Sequence, residues 1–162
     1  MIRKAHLSDD LNIVNIYNYY ILNSMSTFEE QPVSQREMRF RIEQVQASLP
    51  WLVYETNGEI LGYAYATQWK PRSAYRNTVE STVYVRSNSY GKGVGKQLCQ
   101  ELIEELKAQK LHAALAGITL PNEASVALHE KLGYTKVGQL KEVGYKFEKW
   151  VDVGYWELVL KS

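Results

Sequence analysis

Residues 78–106 admit few folds. Thr78-Val-Glu-Ser-Thr-Val-Tyr-Val85 reads as a strand, Gly91-Lys-Gly-Val-Gly95 follows, and Val94, Leu98, Leu102 and Leu106 then recur every fourth residue as one stripe of a helix. A strand that feeds a glycine-rich turn into a helix start builds an anion site. The glycines let backbone N–H groups approach a phosphate, and the helix dipole favours its charge. Glu80 lies in the same strand, so a carboxylate shares a scaffold with the phosphate cradle. This pairing suggests a nucleotide-type cofactor held beside a general base.

Spacing excludes two common phosphate loops. A Walker A loop needs Ser or Thr after its Lys, and Lys96 is followed by Gln97. The dinucleotide fingerprint needs Gly-x-Gly-x-x-Gly near a chain start, whereas Gly91, Gly93 and Gly95 alternate in mid-chain. Charge narrows the partners: the net formal charge is +1 over 162 residues, without long runs of either sign, which argues against nucleic acid and membrane surfaces. No apolar stretch is long enough to span a bilayer and no signal peptide is evident, so a cytoplasmic protein is expected. Cys99 is the lone cysteine, and no Cys/His spacing suits a metal, so no metal is expected.

The remaining segments predict one domain over residues 1–162. Ile2–Ala5 reads as a strand, and Ser8-Asp9-Asp10 starts a helix whose apolar face carries Ile13, Ile16, Tyr17, Tyr20 and Ile21. A loop over Ser26–Pro32 leads to a second helix, from Ser34 to about Ala47, which Pro50 prevents from continuing. Asn57-Gly58 between Trp51–Thr56 and Glu59–Thr67 marks a hairpin. After the central strand and its helix, Ala113–Leu120 is a strand, and Asn122 caps a short helix that Gly133 stops. Two last strands, Lys136–Val143 and Val153–Leu160, are expected to bracket a loop with Tyr145, Phe147 and Trp150. The order indicates an α/β protein with a mixed sheet and helices on both faces.

Gly91–Gly95, in that context, resembles the cofactor loop of the GNAT N-acetyltransferase superfamily, Arg/Gln-x-x-Gly-x-Gly/Ala, except that Tyr90 replaces the usual Arg or Gln. The element order matches that fold over nearly the whole chain: a central, mixed, mostly antiparallel sheet flanked by helices. Scattered runs are similar to the phosphinothricin N-acetyltransferases within it, among them Pro50-Trp-Leu-Val53, Glu80-Ser-Thr-Val-Tyr-Val85, Leu128-His-Glu130, Gly144-Tyr-Lys146 and Trp150-x-Asp-Val-Gly154. The resemblance implies an acetyl-CoA-dependent enzyme acting on the amino group of a small amino-acid-like anion. Phosphinothricin leads, methionine sulfoximine or sulfone follows, and transfer is direct in a ternary complex. It also implies a homodimer, for which the aromatic segment Tyr145–Trp156 offers a surface.

On the resemblance, the amides of Gly91, Lys92, Gly93, Val94, Gly95 and Lys96 hold the pyrophosphate. Backbone groups of Val83, Tyr84 and Val85, with the Asn122 side chain, meet the pantetheine arm. Asn122 would cap its helix in any protein, and its amide has donors and acceptors enough for both tasks. Glu80 is either a solvated strand charge or the base that takes a proton from the substrate ammonium, through one water at most. His129 flanks the apolar stripe of its helix and is either structural or a proton carrier, as base or as acid. Lys70 and Arg72, near Arg76, are either solvated or, with Tyr75, an anion-recognition cluster in which Arg offers a two-pronged fork. Phe28 and Glu30 are placed over the substrate by family analogy alone. Cys99 reads as core, not nucleophile. The rivals are acetylation of another amine, such as a polyamine or a protein N-terminus, and a non-catalytic acyl-CoA sensor.

Overall fold

In a computed structural model, described for residues 1–161, the chain forms β1 (Ile2–Lys4), α1 (Asp10–Asn23), α2 (Gln35–Gln46), β2 (Trp51–Thr56), β3 (Glu59–Gln68), β4 (Thr78–Val85), α3 (Val94–Ala108), β5 (Ala113–Leu120), α4 (Glu123–Lys131), β6 (Thr135–Lys146) and β7 (Lys149–Val159). The strands make one sheet in the order β1-β2-β3-β4-β5-β7-β6. All neighbours are antiparallel except β4 and β5, which run parallel.

Strand alternation divides the core between two faces. Trp51, Val53 and Tyr63 point toward α1 and α2, where they meet Ile13, Ile21 and Ile42. Leu52, Ala64, Val79 and Ala114 point the other way, onto Leu98, Leu102 and Leu106 of α3. The four-residue apolar period of α3 is thus the sheet-facing stripe that the sequence shows. Gly62 permits the close approach of this helix, since a Cβ there would lie 3.1 Å from both Leu98 Cδ1 and Val94 Cγ1. Ser34 caps α2 by accepting from the Glu37 N–H at 3.0 Å. Asp9, by contrast, does not cap α1 with its side chain; its carboxylate is taken by Arg3 and the His6 N–H.

The C-terminal strands correct one sequence expectation. The segment with Tyr145, Phe147 and Trp150 is not a loop, because β6 and β7 extend through it and turn at Phe147-Glu148. Both turn residues have positive φ, 51° and 61°, the conformation that tight hairpins need and that Asn-Gly would have signalled. Cross-strand packing of Tyr145 on Trp150, centroids 4.8 Å apart, helps offset that strain.

Candidate active site

The parallel ladder between β4 and β5 is short. It pairs Thr78 with Ala113, Val79 with Ala114 and Glu80 with Leu115, then stops, although β4 continues to Val85 and β5 to Leu120. Beyond Glu80 the strands splay, and a cleft of about 1030 Å³ opens between them. Residues 81–85 form one wall and residues 116–119 the other, so backbone groups normally spent on a ladder face the cleft.

One end of the cleft is built for an anion. Gly91 and Gly93 both adopt φ 78°, and Gly93 is the N-cap of α3 with no side chain capping it. The first helical bond runs from the Gln97 N–H to the Gly93 carbonyl, at 3.1 Å, which leaves the N–H groups of Val94, Gly95 and Lys96 without helical acceptors. Gly95 sits between β4 and α4, where even a Cβ would make ordinary contact, 3.4 Å from Val85 and 3.6 Å from Leu128. Tyr90 reaches back to α1: its hydroxyl bonds that of Tyr20, which donates to the Val85 carbonyl. The loop is therefore fastened to α1 by two phenols.

The other end carries the ionisable groups. Glu80 is half-buried, and desolvation raises its pKa above the usual 4.5, with Lys70 acting in the opposite sense. It converges with Tyr155 over Gly117, where an added methyl would lie 3.3 Å from the Tyr155 ring and 3.8 Å from Glu80 Oε2. Tyr155 rests in turn edge-on against Trp69, at 5.4 Å.

His129 is buried rather than flanking. Its Nδ1 lies 2.8 Å from the Ser125 carbonyl, which can only accept, so Nδ1 carries the proton and the neutral ring presents Nε2 as a lone pair. Burial lowers its pKa below 6.5 against the smaller, opposing effect of that bond. The ring stands edge-on to Tyr134 at 5.0 Å, whose hydroxyl is 2.9 Å from Ser81 Oγ on the splayed strand. Asn122 Oδ1 accepts from the Ser125 N–H at 3.1 Å, and its residue also lines the cleft.

The cleft thus brings together Glu80, His129, Asn122, Phe28, the 83–85 strand and, from the loop, Gly91 and residues 93–96. Lys92, Glu30, Lys70, Arg72 and Tyr75 stand outside its wall, although Lys70 bears electrostatically on Glu80. The sequence pattern gives Tyr155, Tyr20 and Lys146 no role in the site. Tyr155 falls within the aromatic segment Tyr145–Trp156, which the sequence offered as a dimer surface and not as part of the site. Cys99 is buried and its thiol is pushed up to about 12, so it stays protonated near neutrality.

The sequence profile of the acetyltransferase (GNAT) domain matches residues 2–154. The chain belongs to the GNAT acetyltransferase family. This acetyltransferase is 43% identical over 156 residues to a phosphinothricin N-acetyltransferase of Streptomyces viridochromogenes, covering 96% of this chain and 85% of that protein. It is 40% identical over 161 residues to an L-methionine sulfoximine/L-methionine sulfone acetyltransferase of Pseudomonas paraeruginosa, covering 98% and 94%. A phosphinothricin acetyltransferase from Sinorhizobium meliloti, solved in complex with acetyl-CoA, superposes with a TM-score of 0.96 at 34% identity, covering 99% of this chain and 88% of the other. The uncapped α3 start and the unpaired β4 edge fit such a cofactor, and acetyl-CoA is the co-substrate of this acetyltransferase. No helix among the described residues is long and apolar enough to cross a membrane.

Proposed function

We propose that residues 1–162 form one cytoplasmic N-acetyltransferase domain that acetylates the α-amino group of a small amino-acid-like anion. Phosphinothricin is the first candidate and methionine sulfoximine or sulfone the second. The observation that carries the reading is the splay itself, which has an anion-binding helix start at one end and a desolvated carboxylate at the other. The two relatives acting on these amino-acid analogues support the substrate class, and the cation of Lys70 near Glu80 agrees with an anionic ligand. Arg72 and Tyr75 share its loop and are assigned the substrate's acidic group, and Phe28 and Glu30, between α1 and α2, are assigned to the rest of the substrate. Activity on phosphinothricin would make the chain a resistance determinant toward that herbicide.

Bound acetyl-CoA supplies an activated thioester carbonyl. The amides of residues 91–96 would hold its pyrophosphate, residues 83–85 and Asn122 would align the arm, and a backbone N–H near Val83 would polarise the carbonyl. Glu80 accepts one proton from the substrate ammonium, through a water, and frees the nitrogen lone pair. His129 Nε2 then takes the second proton that an ammonium must lose to become an amide, and returns it to the leaving sulfur. A neutral ring with its proton on Nδ1 can perform this only in that order, as base first and acid second.

The same reading includes a homodimer through the β6–β7 hairpin. Val143, Tyr145, Phe147 and Trp150 are all at least half exposed there, an apolar patch suited to a second copy. Light scattering on the purified chain would return the monomer mass if this assignment is wrong.

The deciding assay is CoA release from acetyl-CoA with phosphinothricin, methionine sulfoximine, methionine sulfone, glutamate and spermidine. Saturable release with the first two or three is expected. Turnover of spermidine alone would overturn the substrate class. A narrower result concerns Tyr90: its replacement by Phe unfastens the loop from α1 and is expected to raise KM for acetyl-CoA about two- to tenfold, as loss of one hydrogen bond does, with kcat unchanged. An unchanged KM would show that the loop amides need no such tether.

A further inference from the structure

Lys146 is the one buried cation among the described residues, with 1% of its surface exposed. Its ammonium donates to the carbonyls of Ser24 and Thr27, each at 2.8 Å, and lies 5.0 Å from the centre of the Phe147 ring. The acceptors belong to the loop between α1 and α2, 119 to 122 residues away in sequence. Two residues earlier on β6, Gly144 touches the same loop. A Cβ at Gly144 would lie 2.2 Å from Phe28 Cζ, so the Phe28 ring lies directly on the Gly144 backbone.

Burial of an ammonium is unfavourable unless acceptors replace its water, and two backbone carbonyls do so here. Desolvation lowers the Lys146 pKa, while the Glu30 and Glu29 carboxylates act to raise it. A buried hydrophobic residue could fill the same volume, so space-filling does not require a lysine. What lysine adds is a directional hold on two loop carbonyls. Other ties on this loop come from the helical side or from the sheet: Tyr17 to Thr27 at 2.8 Å, Arg41 to Glu29 at 2.8 and 2.9 Å, and Tyr84 to the Ser26 carbonyl at 3.1 Å. None of them reaches the C-terminal hairpin. Lys146 and the Gly144–Phe28 contact make that link, and Phe28 lines the same cleft as Glu80 and Tyr155.

We propose that Lys146 is a positioning residue for the amine substrate: it clamps the Ser24–Thr27 turn so that Phe28 stands on Gly144 at the mouth of the amine half of the cleft. The inference rests on the functional reading above, which assigns that half of the cleft to the amine. The same reading assigns acetyl-CoA to the α3 start, away from Gly144 and Lys146, neither of which lines the cleft.

The experiment compares wild type, Lys146→Met, Lys146→Arg and Gly144→Ala. Met keeps the length and apolar stem but loses every donor. Steady-state kinetics with the best amine are measured alongside calorimetric binding of acetyl-CoA, and a Glu-specific protease probes Glu29 and Glu30. Lys146→Met is expected to raise the amine KM about tenfold or more, with kcat and acetyl-CoA affinity within about threefold of wild type. Cleavage in the loop should accelerate, and Lys146→Arg should recover most of the lost amine affinity. An amine KM within about twofold of wild type in folded Lys146→Met overturns the proposal. If Lys146→Met shows no cooperative melting, Gly144→Ala decides by the same criterion, because it displaces Phe28 while leaving the clamp residue in place. If wild type turns over no amine, the functional reading fails, and unchanged loop cleavage in Lys146→Met would then overturn the clamp separately.

Discussion

Replacing Glu80 with Gln is expected to lower kcat by about two to four orders of magnitude, the usual contribution of a positioned general base. The side chains are nearly isosteric, and among the described residues no hydrogen bond or ion pair depends on the Glu80 carboxylate. The loss would therefore report chemistry and not collapse of the site. The stability effect has the opposite sign. Burial raises the Glu80 pKa in the folded protein above its ordinary 4.5, so the fold favours the protonated form. That preference supports folding below the unfolded pKa and is lost as pH rises through the folded one. At about pH 8 the buried carboxylate is a liability, and Glu80→Gln should melt at a higher temperature than wild type. The gain should shrink as the pH approaches the range in which Glu80 is protonated in both states. A variant with lower activity and lower stability together would mean that Glu80 is structural. Full kcat retained between about pH 6 and 9 would remove it as the base.

The second large effect is expected at His129. Phe fills the same buried volume and can keep the edge-on contact with Tyr134, yet offers no proton acceptor to the cleft. Its kcat should fall about 100-fold, while acetyl-CoA binding changes little. The acid limb of the pH–rate profile separates the two groups. Wild-type kcat should decline where Glu80, shifted up from 4.5, and His129, shifted down from 6.5, take protons. In His129→Phe only the Glu80 limb should remain. His129 also has the reverse linkage to folding: its folded pKa lies below the unfolded value, so its contribution is present above about 6.5 and falls away on acidification through that window. A His129→Phe enzyme with wild-type kcat would make the ring structural, as its contacts with Ser125 and Tyr134 alone would allow.

Most of the architecture was legible because its signals are local. The four-residue period of Val94, Leu98, Leu102 and Leu106 requires nothing beyond one helix to be interpreted, and Asn57-Gly58 encodes its own turn. Glu80 and the glycine loop were legible for the same reason, being near neighbours in one strand–turn–helix unit. The hairpin after β6 was not, since Phe147 and Glu148 adopt positive φ under pressure from strand pairing that no dipeptide rule anticipates. Neither was the burial of His129, which depends on Tyr134 and Ser81 arriving from two other elements. Lys146 stood out only as part of the Gly144-Tyr-Lys146 run, and what it holds was not legible. Its acceptors are backbone carbonyls of a loop more than a hundred residues away, and a carbonyl leaves no trace in residue type. Family resemblance placed Lys70, Arg72 and Tyr75 at the substrate, but only Lys70 shows a physical link to the cleft, through its field at Glu80.

The interrupted ladder between β4 and β5 also bears on how firmly the chain holds together. Three paired residues are a weak seam in the middle of a seven-stranded sheet, and one half of the molecule meets the other across it. A cofactor arm pairing with the free β4 edge, as proposed above, would work as a missing strand does, binding the native chain and not the unfolded one. Mass action then adds about 2.7 kcal/mol at a hundred times the dissociation constant. Resistance to heat and to proteolysis should accordingly follow the acetyl-CoA concentration around the protein, so the ligand would set how long the seam stays closed.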